Sequence, residues 1–525
     1  APAPAAAPTP APAPAAPAAT PARGAARFSA VDWHLLDPST DSVAGAGVRR
    51  AMTLLAGRTP QRTVLVAVID GGVDTAHAAI RPALSVNARE VGGNGKDDDG
   101  NGYVDDVRGW NFMGTPDGRS YEHDQLELTR LVVRCRARQP ITVGVACDSL
   151  ENEWRGAKAE AEGQWQQLKP VLDRYDEARA ALAKAANTTP AALTLAQVEA
   201  LPATGELAAP RGFLLTVARN GLTPEEATST RRYFEGRLAH NYDLAADPRA
   251  MMGDWRRLGR RYGNSDVTGP DAGHGTAVAG VIAGAPGDSG STGIAPMARI
   301  LAIRAVPNGD ERDEDVANAI RYAVDRGAAI INMSFGKPYS PGKAMVDSAV
   351  AYAVGKGVLL VHAAGNESAD NDAGRSYPTA AFLGNAGRAA TWLEVGANGP
   401  RIGRALPARF SNYGRTTVDL FAPGTDLFMP KAGGGWVRES GTSFAAPVVS
   451  GVAALLMSYF PTLSAADVKR ILVASVVPLA SLQVNVPGEP GRSAAFGTLS
   501  TTGGIVNAYN AVRMALDEAA ARPRP

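Results

Sequence analysis

Five stretches of this chain are apolar without the polar alternation of a half-exposed strand: VLVAVI (64–69), ARILAIRAV (298–306), AAIINMSF (328–335), GVLLVHAA (357–364) and TWLEVGA (391–397). Continuous runs of that length belong to strands covered on both faces. Between them lie helical patterns, such as 313–326 with Val316, Ala319, Ile320 and Ala323 on one stripe, and 342–356. The alternation predicts an α/β fold, a mainly parallel sheet flanked by helices on both faces.

The pattern is interrupted. Residues 107–265 contain long runs of helix formers, and Thr223 followed by Pro224, Glu225 and Glu226 has the form of a capped helix start. A mostly α-helical insertion is therefore expected at 107–265, dividing a first part at 24–106 from the remainder at 266–515, with a tail at 516–525. A chain of 525 residues has room for a main domain and such an insertion. Residues 1–23 are Ala/Pro-rich, which predicts a disordered, extended spacer, either a bare tail or a tether to a surface. The basic cluster RRLGRR (256–261) reads as a solvated helix face.

A net charge of +1 gives no basic field for a nucleic-acid partner, and no run of eighteen apolar residues suggests a transmembrane segment. The first residue is Ala1 rather than Met, which fits a chain trimmed of an export signal or a designed one. The two cysteines, Cys135 and Cys147, fit a disulfide closing a short loop, worth roughly 3 kcal/mol by loop entropy. Two separate buried thiols are the other reading.

Parallel sheets gather their chemistry outside the carboxyl ends of their strands. Asp70 ends the first run, in VAVIDGGVDTAH. His274 opens a small-residue helix in DAGHGTAVAGVIAG, where the helix dipole would favour the neutral ring a general base needs. Ser443 falls in the first turn of the helix in SGTSFAAPVVSGVAALL, with Gly441 permitting a turn and Thr442 free to cap. Each residue alone has an ordinary structural reading, as a loop cap or a packing residue.

Together the three segments, in the order Asp, His, Ser, resemble the signature segments of the subtilisin-like serine peptidases, the subtilases. The resemblance covers about 62–106 and 266–515 and is close to an exported bacterial branch with a helical insert after the catalytic Asp. It implies a subtilisin-like three-layer fold and an exported serine endopeptidase acting through an acyl-enzyme, without a catalytic cofactor. Asp70 would orient His274, His274 would deprotonate Ser443, and Asn366 in VHAAGNES would donate to the oxyanion beside the Ser443 amide. Ser334, Phe335 and Gly336, with Ala363, Ala364 and Gly365, would line a cleft for protein or peptide substrates in extended conformation. Ala277 and Phe444 depart from the family's usual histidine and methionine. The stretch before Asp70 is too short for the usual folding prodomain, which is expected to be removed or absent. A non-catalytic peptide-binding protein of the same fold and a transpeptidase or cyclase are the alternatives. The insertion is expected as a lid or folding aid, or as a peripheral appendage.

The loop KDDDGNGYVDD (96–106) has oxygen ligands at alternate positions, Asp97, Asp99 and Asn101, with the Tyr103 carbonyl and Asp105 following. Arg108 stands where a closing glutamate belongs, so Asp106 would have to substitute. Subtilases often brace surface loops with calcium, so the resemblance favours a structural Ca2+ here, with a plain acidic turn as the alternative.

Overall fold

The computed structural model describes residues 31–252, 262–286 and 292–521. The expected spacer at 1–23 and the basic cluster at 256–261 lie outside the described residues. The described chain forms two compact units: Leu128–Pro140 with Gly144–Ala246, and the rest, including Ile141–Val143.

The larger unit begins with short helices α1 (Pro38–Asp41) and α2 (Val48–Leu54), then β1 (Leu65–Asp70) and β2 (Gly109–Asn111). After the smaller unit come α8 (Gly273–Ala283), β3 (Arg299–Arg304), α9 (Asp313–Asp325), β4 (Ile330–Met333), α10 (Lys343–Gly355), β5 (Leu359–Ala363), β6 (Trp392–Asn398) and β7 (Leu420–Pro423). The hairpin β8 (Leu427–Pro430) and β9 (Trp436–Glu439) leads to α11 (Thr442–Tyr459) and α12 (Ala465–Ala474). Next are β10 (Val477–Pro478), a second hairpin of β11 (Gln483–Asn485) and β12 (Ser493–Ala495), β13 (Gly504–Ile505) and α13 (Ala508–Ala521).

Nine strands form one sheet in the order β10-β13-β7-β6-β5-β4-β1-β3-β2. Every neighbouring pair is parallel except β10 with β13. The period-two pleat explains the unbroken apolar runs. Along β1, Val66 and Val68 enter one core with α8 and α11, while Ala67 and Ile69 enter the opposite core with α9 and α10. From β1 the chain passes to β2 at the sheet edge, returns to place β3 between β2 and β1, then crosses to β4 and builds the other way. The switch point between β1 and β4 is where such sheets open a crevice.

The five apolar runs correspond to β1, β3, β4, β5 and β6, and the two helical patterns to α9 and α10. The insertion is narrower than 107–265. Gly109–Asn111 joins the main sheet beside β3, and 107–127 and 247–265 group with the larger unit where described. The tail expected from 516 is also shorter, because α13 continues to Ala521, with Val512 and Ala515 buried.

The smaller unit contains most of α3 (Glu127–Arg136), α4 (Cys147–Ala185), α5 (Leu195–Ala200), α6 (Ala208–Arg219) and α7 (Pro224–Gly236). Leu172, Tyr175, Leu182 and Leu214 centre its own apolar cluster. Thr223 caps α7 reciprocally with Glu226. Cys135 and Cys147 are joined in a disulfide that ties α3 to the start of α4.

Candidate active site

Asp70 is the last residue of β1, its side chain only 4% exposed. Its Oδ1 accepts from the Gly71 amide at 2.8 Å, and its two oxygens lie 3.0 and 2.9 Å from His274 Nδ1. His274 is the second residue of α8. A β-carbon on Gly275 would sit 2.2 Å from the Gly72 carbonyl oxygen and 3.0 Å from Asp70 Cβ, so only glycine lets the helix press on the strand end. Asp271 accepts from the Gly273 amide at 3.1 Å, and Thr276 Oγ1 accepts from the Asp74 amide at 2.7 Å, fixing the helix entry. With Nδ1–H directed at Asp70, the neutral ring keeps its lone pair on Nε2.

Against the expected pull of the helix dipole toward the neutral ring stand the carboxylates around it. Burial disfavours its charged form, but the Asp70 carboxylate outweighs burial, helped by Glu439 and Asp271, and raises the His274 pKa to about 9. A contact ion pair acts more strongly than a helix terminus.

Ser443 lies in the first turn of α11. Its hydroxyl donates to the Ser334 carbonyl at 3.3 Å, while Ser334 Oγ donates to the Ser443 carbonyl at 2.7 Å. The ring of Phe444 lies 5.4 Å from the His274 ring, which brings the start of α11 alongside the imidazole. Ala277 is buried in the core between these helices, so both departures from the family pattern are packing residues. Thr442 does not cap the helix. Its amide and hydroxyl donate to Asn366 Oδ1 at 2.8 and 3.0 Å, and its Oγ1 accepts from the Gly365 amide at 3.2 Å. Gly441 is extended rather than left-handed (φ 167°). With Asn366 Oδ1 occupied, its Nδ2 is the free end of the amide and has no partner among the described residues. Nothing in the local sequence distinguishes this clamp from an ordinary helix cap.

A cleft of about 320 Å³ opens beside Asp70 and His274, lined also by Ser334, Phe335 and Gly336. These three continue past β4 without sheet pairing, and Gly336 has no hydrogen-bond partner among the described residues. The Phe335 carbonyl is held by His362 Nε2 at 2.8 Å, and Ser334 is 5% exposed, its hydroxyl turned to the start of α11. Ala363 and Ala364 are core residues rather than cleft walls, 5% and 0% exposed. The Ala364 carbonyl is taken by Asn371 and Asn412. Gly365 is partly exposed, with φ 108° and Asn412 Nδ2 only 2.4 Å from where a β-carbon would be.

The acidic loop is arranged differently from the expected ligand set. One oxygen each from Glu90, Asp99 and Asp106 lies within 4.8 Å of the others. Glu90, outside the motif, was not foreseen. Asp97 accepts from the Asn101 and Gly102 amides at 3.0 and 2.7 Å, and Asp105 from the Asn94 and Gly95 amides at 3.1 Å each. Asn101 Oδ1 accepts from the Tyr103 amide at 2.7 Å, and the Tyr103 ring packs on Trp110 and Tyr322. Asp106, expected to stand in for a closing glutamate, is one of these three clustered carboxylates. Fully buried, it accepts from Asn87, Asn101, Tyr322 and Arg326, so a guanidinium already matches its charge.

The structure thus sets an Asp–His pair at the carboxyl edge of a parallel sheet alongside a buried helix whose second residue is a serine. Comparison with known proteins gives the family: the sequence profile of the subtilase family matches residues 61–498, and the chain belongs to that family. It is 41% identical over 187 residues to a thermophilic serine proteinase of Bacillus sp. (strain AK1), covering 35% of this chain and 42% of that protein. It is 33% identical over 224 residues to Subtilisin Savinase of Lederbergia lenta, covering 42% and 77%. Among solved structures, the protease domain of PatA aligns at 33% identity over 47% of this chain and 82% of that one, with a TM-score of 0.38. The chain spans 42 to 59% of the length of the first five curated relatives it matches.

Among the described residues, α11 alone is long and apolar enough to cross a membrane, and it is 89% buried as the central helix of the core.

Proposed function

We propose that this chain is a serine endopeptidase that hydrolyses protein or peptide substrates bound in extended conformation. The observation that carries the reading is the Asp70–His274 contact at 2.9 Å, which leaves Nε2 as base beside the start of α11. Rotation of the Ser443 side chain away from the Ser334 carbonyl brings Oγ to His274. Oγ then attacks the scissile carbonyl, His274 takes the proton and passes it to the leaving amine, and water resolves the acyl-enzyme by the same route. Asn366 Nδ2 and the Ser443 amide receive the oxyanion, and the unpaired backbone at Gly336 supports pairing with an extended chain. The test is exposure to a fluorophosphonate probe followed by peptide mapping, with mass spectrometry of products from a peptide mixture. An adduct on Ser443 and hydrolytic fragments are expected. Absence of the adduct would leave a non-catalytic peptide-binding protein, and ligated products a transpeptidase.

Asn366→Ala is expected to lower kcat by roughly 100- to 1000-fold with KM little changed, the scale of one oxyanion donor as measured in subtilisin. An equal loss in KM instead would place Asn366 in ground-state binding.

Export from a bacterial cell is part of this proposal. The Cys135–Cys147 disulfide suits an oxidising compartment. We also propose a structural Ca2+ at the acidic loop, with Glu90, Asp99 and Asp106 offering the carboxylate oxygens. EGTA is expected to lower the Tm by about 5 °C, reversed by added Ca2+. An unchanged Tm would mean that the loop's own hydrogen bonds hold it.

A further inference from the structure

A second histidine–carboxylate pair lies buried one strand beyond the site. His362 on β5 is fully buried. Its Nδ1 lies 2.9 Å from Glu394 Oε1 on β6, and its Nε2 lies 2.8 Å from the Phe335 carbonyl oxygen. The other oxygen of Glu394 accepts from Trp392 Nε1 at 2.8 Å, and the Glu394 amide donates to Asp419 at 2.8 Å. Both ring nitrogens of His362 therefore face acceptors. A neutral imidazole has one N–H and can satisfy only one of them. The arrangement closes only if the pair holds one further proton between Nδ1 and Oε1, whether on the ring or on the carboxyl.

The held carbonyl is next to the chemistry. Phe335 follows Ser334, whose carbonyl and hydroxyl both bond Ser443, and Phe335 and Gly336 line the cleft. We propose that His362 and Glu394 are positioning residues that fix the Phe335 peptide, and through it the cleft wall, by means of one shared proton. The inference rests on the peptidase reading. It adds a requirement: removal of the proton leaves either the Phe335 carbonyl or the Glu394 carboxylate against a bare ring nitrogen, an unpaired buried acceptor that loosens the wall.

The charged surroundings favour keeping the proton. Burial of His362 opposes its charge, but Glu394, with Glu311 beyond it, raises the pKa above the ordinary histidine value. Asp419 stands behind Glu394, and Lys469 lies 3.9 Å from Asp419. Loss of the proton thus belongs to the alkaline side.

Three variants test this, each measured by peptide kcat/KM across pH and by the rate of fluorophosphonate labelling, which reads Ser443 with little use of the wall. His362→Ala is expected to lose roughly 10- to 100-fold in peptide kcat/KM, as misplacement of a positioned substrate does, with a much smaller loss in labelling. Glu394→Ala is expected to behave likewise. Glu394→Gln is the informative rescue. Its amide can donate to Nδ1 while its oxygen accepts from Trp392, so neutral His362 keeps its bond to Phe335 with no proton to lose. This variant is expected to retain most of the activity and to lose the alkaline decline that the other groups do not cause.

Equal losses in both readouts for His362→Ala, or Glu394→Gln as impaired as Glu394→Ala with the alkaline limb unmoved, would overturn the assignment. A wild-type protein inert toward both peptide and probe would instead overturn the peptidase reading and this one with it. An active wild type with no difference in His362→Ala would overturn this one alone.

Discussion

Ser443→Ala is expected to lower kcat on any peptide substrate by roughly 10⁶-fold, the scale known for loss of the serine in subtilisin itself. Fluorophosphonate labelling should vanish with it. The fold should survive, because among the described residues the Ser443 hydroxyl makes one bond, to the Ser334 carbonyl at 3.3 Å, while the Ser334–Ser443 carbonyl contact and the Thr442 clamp do not use it. Thermal melting of the variant within a degree or two of wild type would show that the loss is chemical. A variant that still degrades casein at the wild-type rate would remove Ser443 from the reaction.

Asp70→Asn carries the second large expectation, about a 10⁴-fold fall in kcat. The carboxylate oxygens both face His274 Nδ1, so they accept its proton and leave Nε2 as the base. An amide there can donate to Nδ1, which moves the ring proton to Nε2 and blinds it to the serine. The same substitution should be visible in the pH profile. His274 acts as a base only when neutral, so activity rises as pH climbs through its pKa. Asp70 is the main influence raising that value to about 9, and the wild-type profile should therefore climb well into the alkaline range. In Asp70→Asn the residual activity should rise at lower pH, toward the ordinary histidine range. A limb that stays in place would mean that Glu439 and Asp271, not Asp70, hold the charge on the ring.

Much of this site was legible in the sequence because its parts are local. Asp70, His274 and Ser443 each sit at a strand end or helix start that hydrophobic periodicity already locates, and the glycines around His274 announce a close approach. What was illegible depends on partners far along the chain. Thr442 looks like a cap until Asn366, 76 residues away, is placed against it. The buried partners of Asp106, Arg326 and Tyr322, come from α9 and its C-terminal end, more than 200 residues along the chain. Ala363 and Ala364 continue an apolar run, and nothing local says whether they end inside the core or on a wall. The short strands β2 and β7 escaped for another reason: three or four residues give too little pattern for periodicity to register.

The double-sided burial of β1 has a consequence for how such a molecule would fail. Asp70 hangs from a strand in the interior of a nine-stranded sheet, and Ser443 from a helix that is nearly all core. Segments of that kind open only when the whole unit opens, whereas edges and loops fray at little cost. The larger unit is therefore built to lose its proposed reacting groups all at once rather than by gradual detuning. Under heat or denaturant its catalytic competence and its global fold should disappear in the same transition.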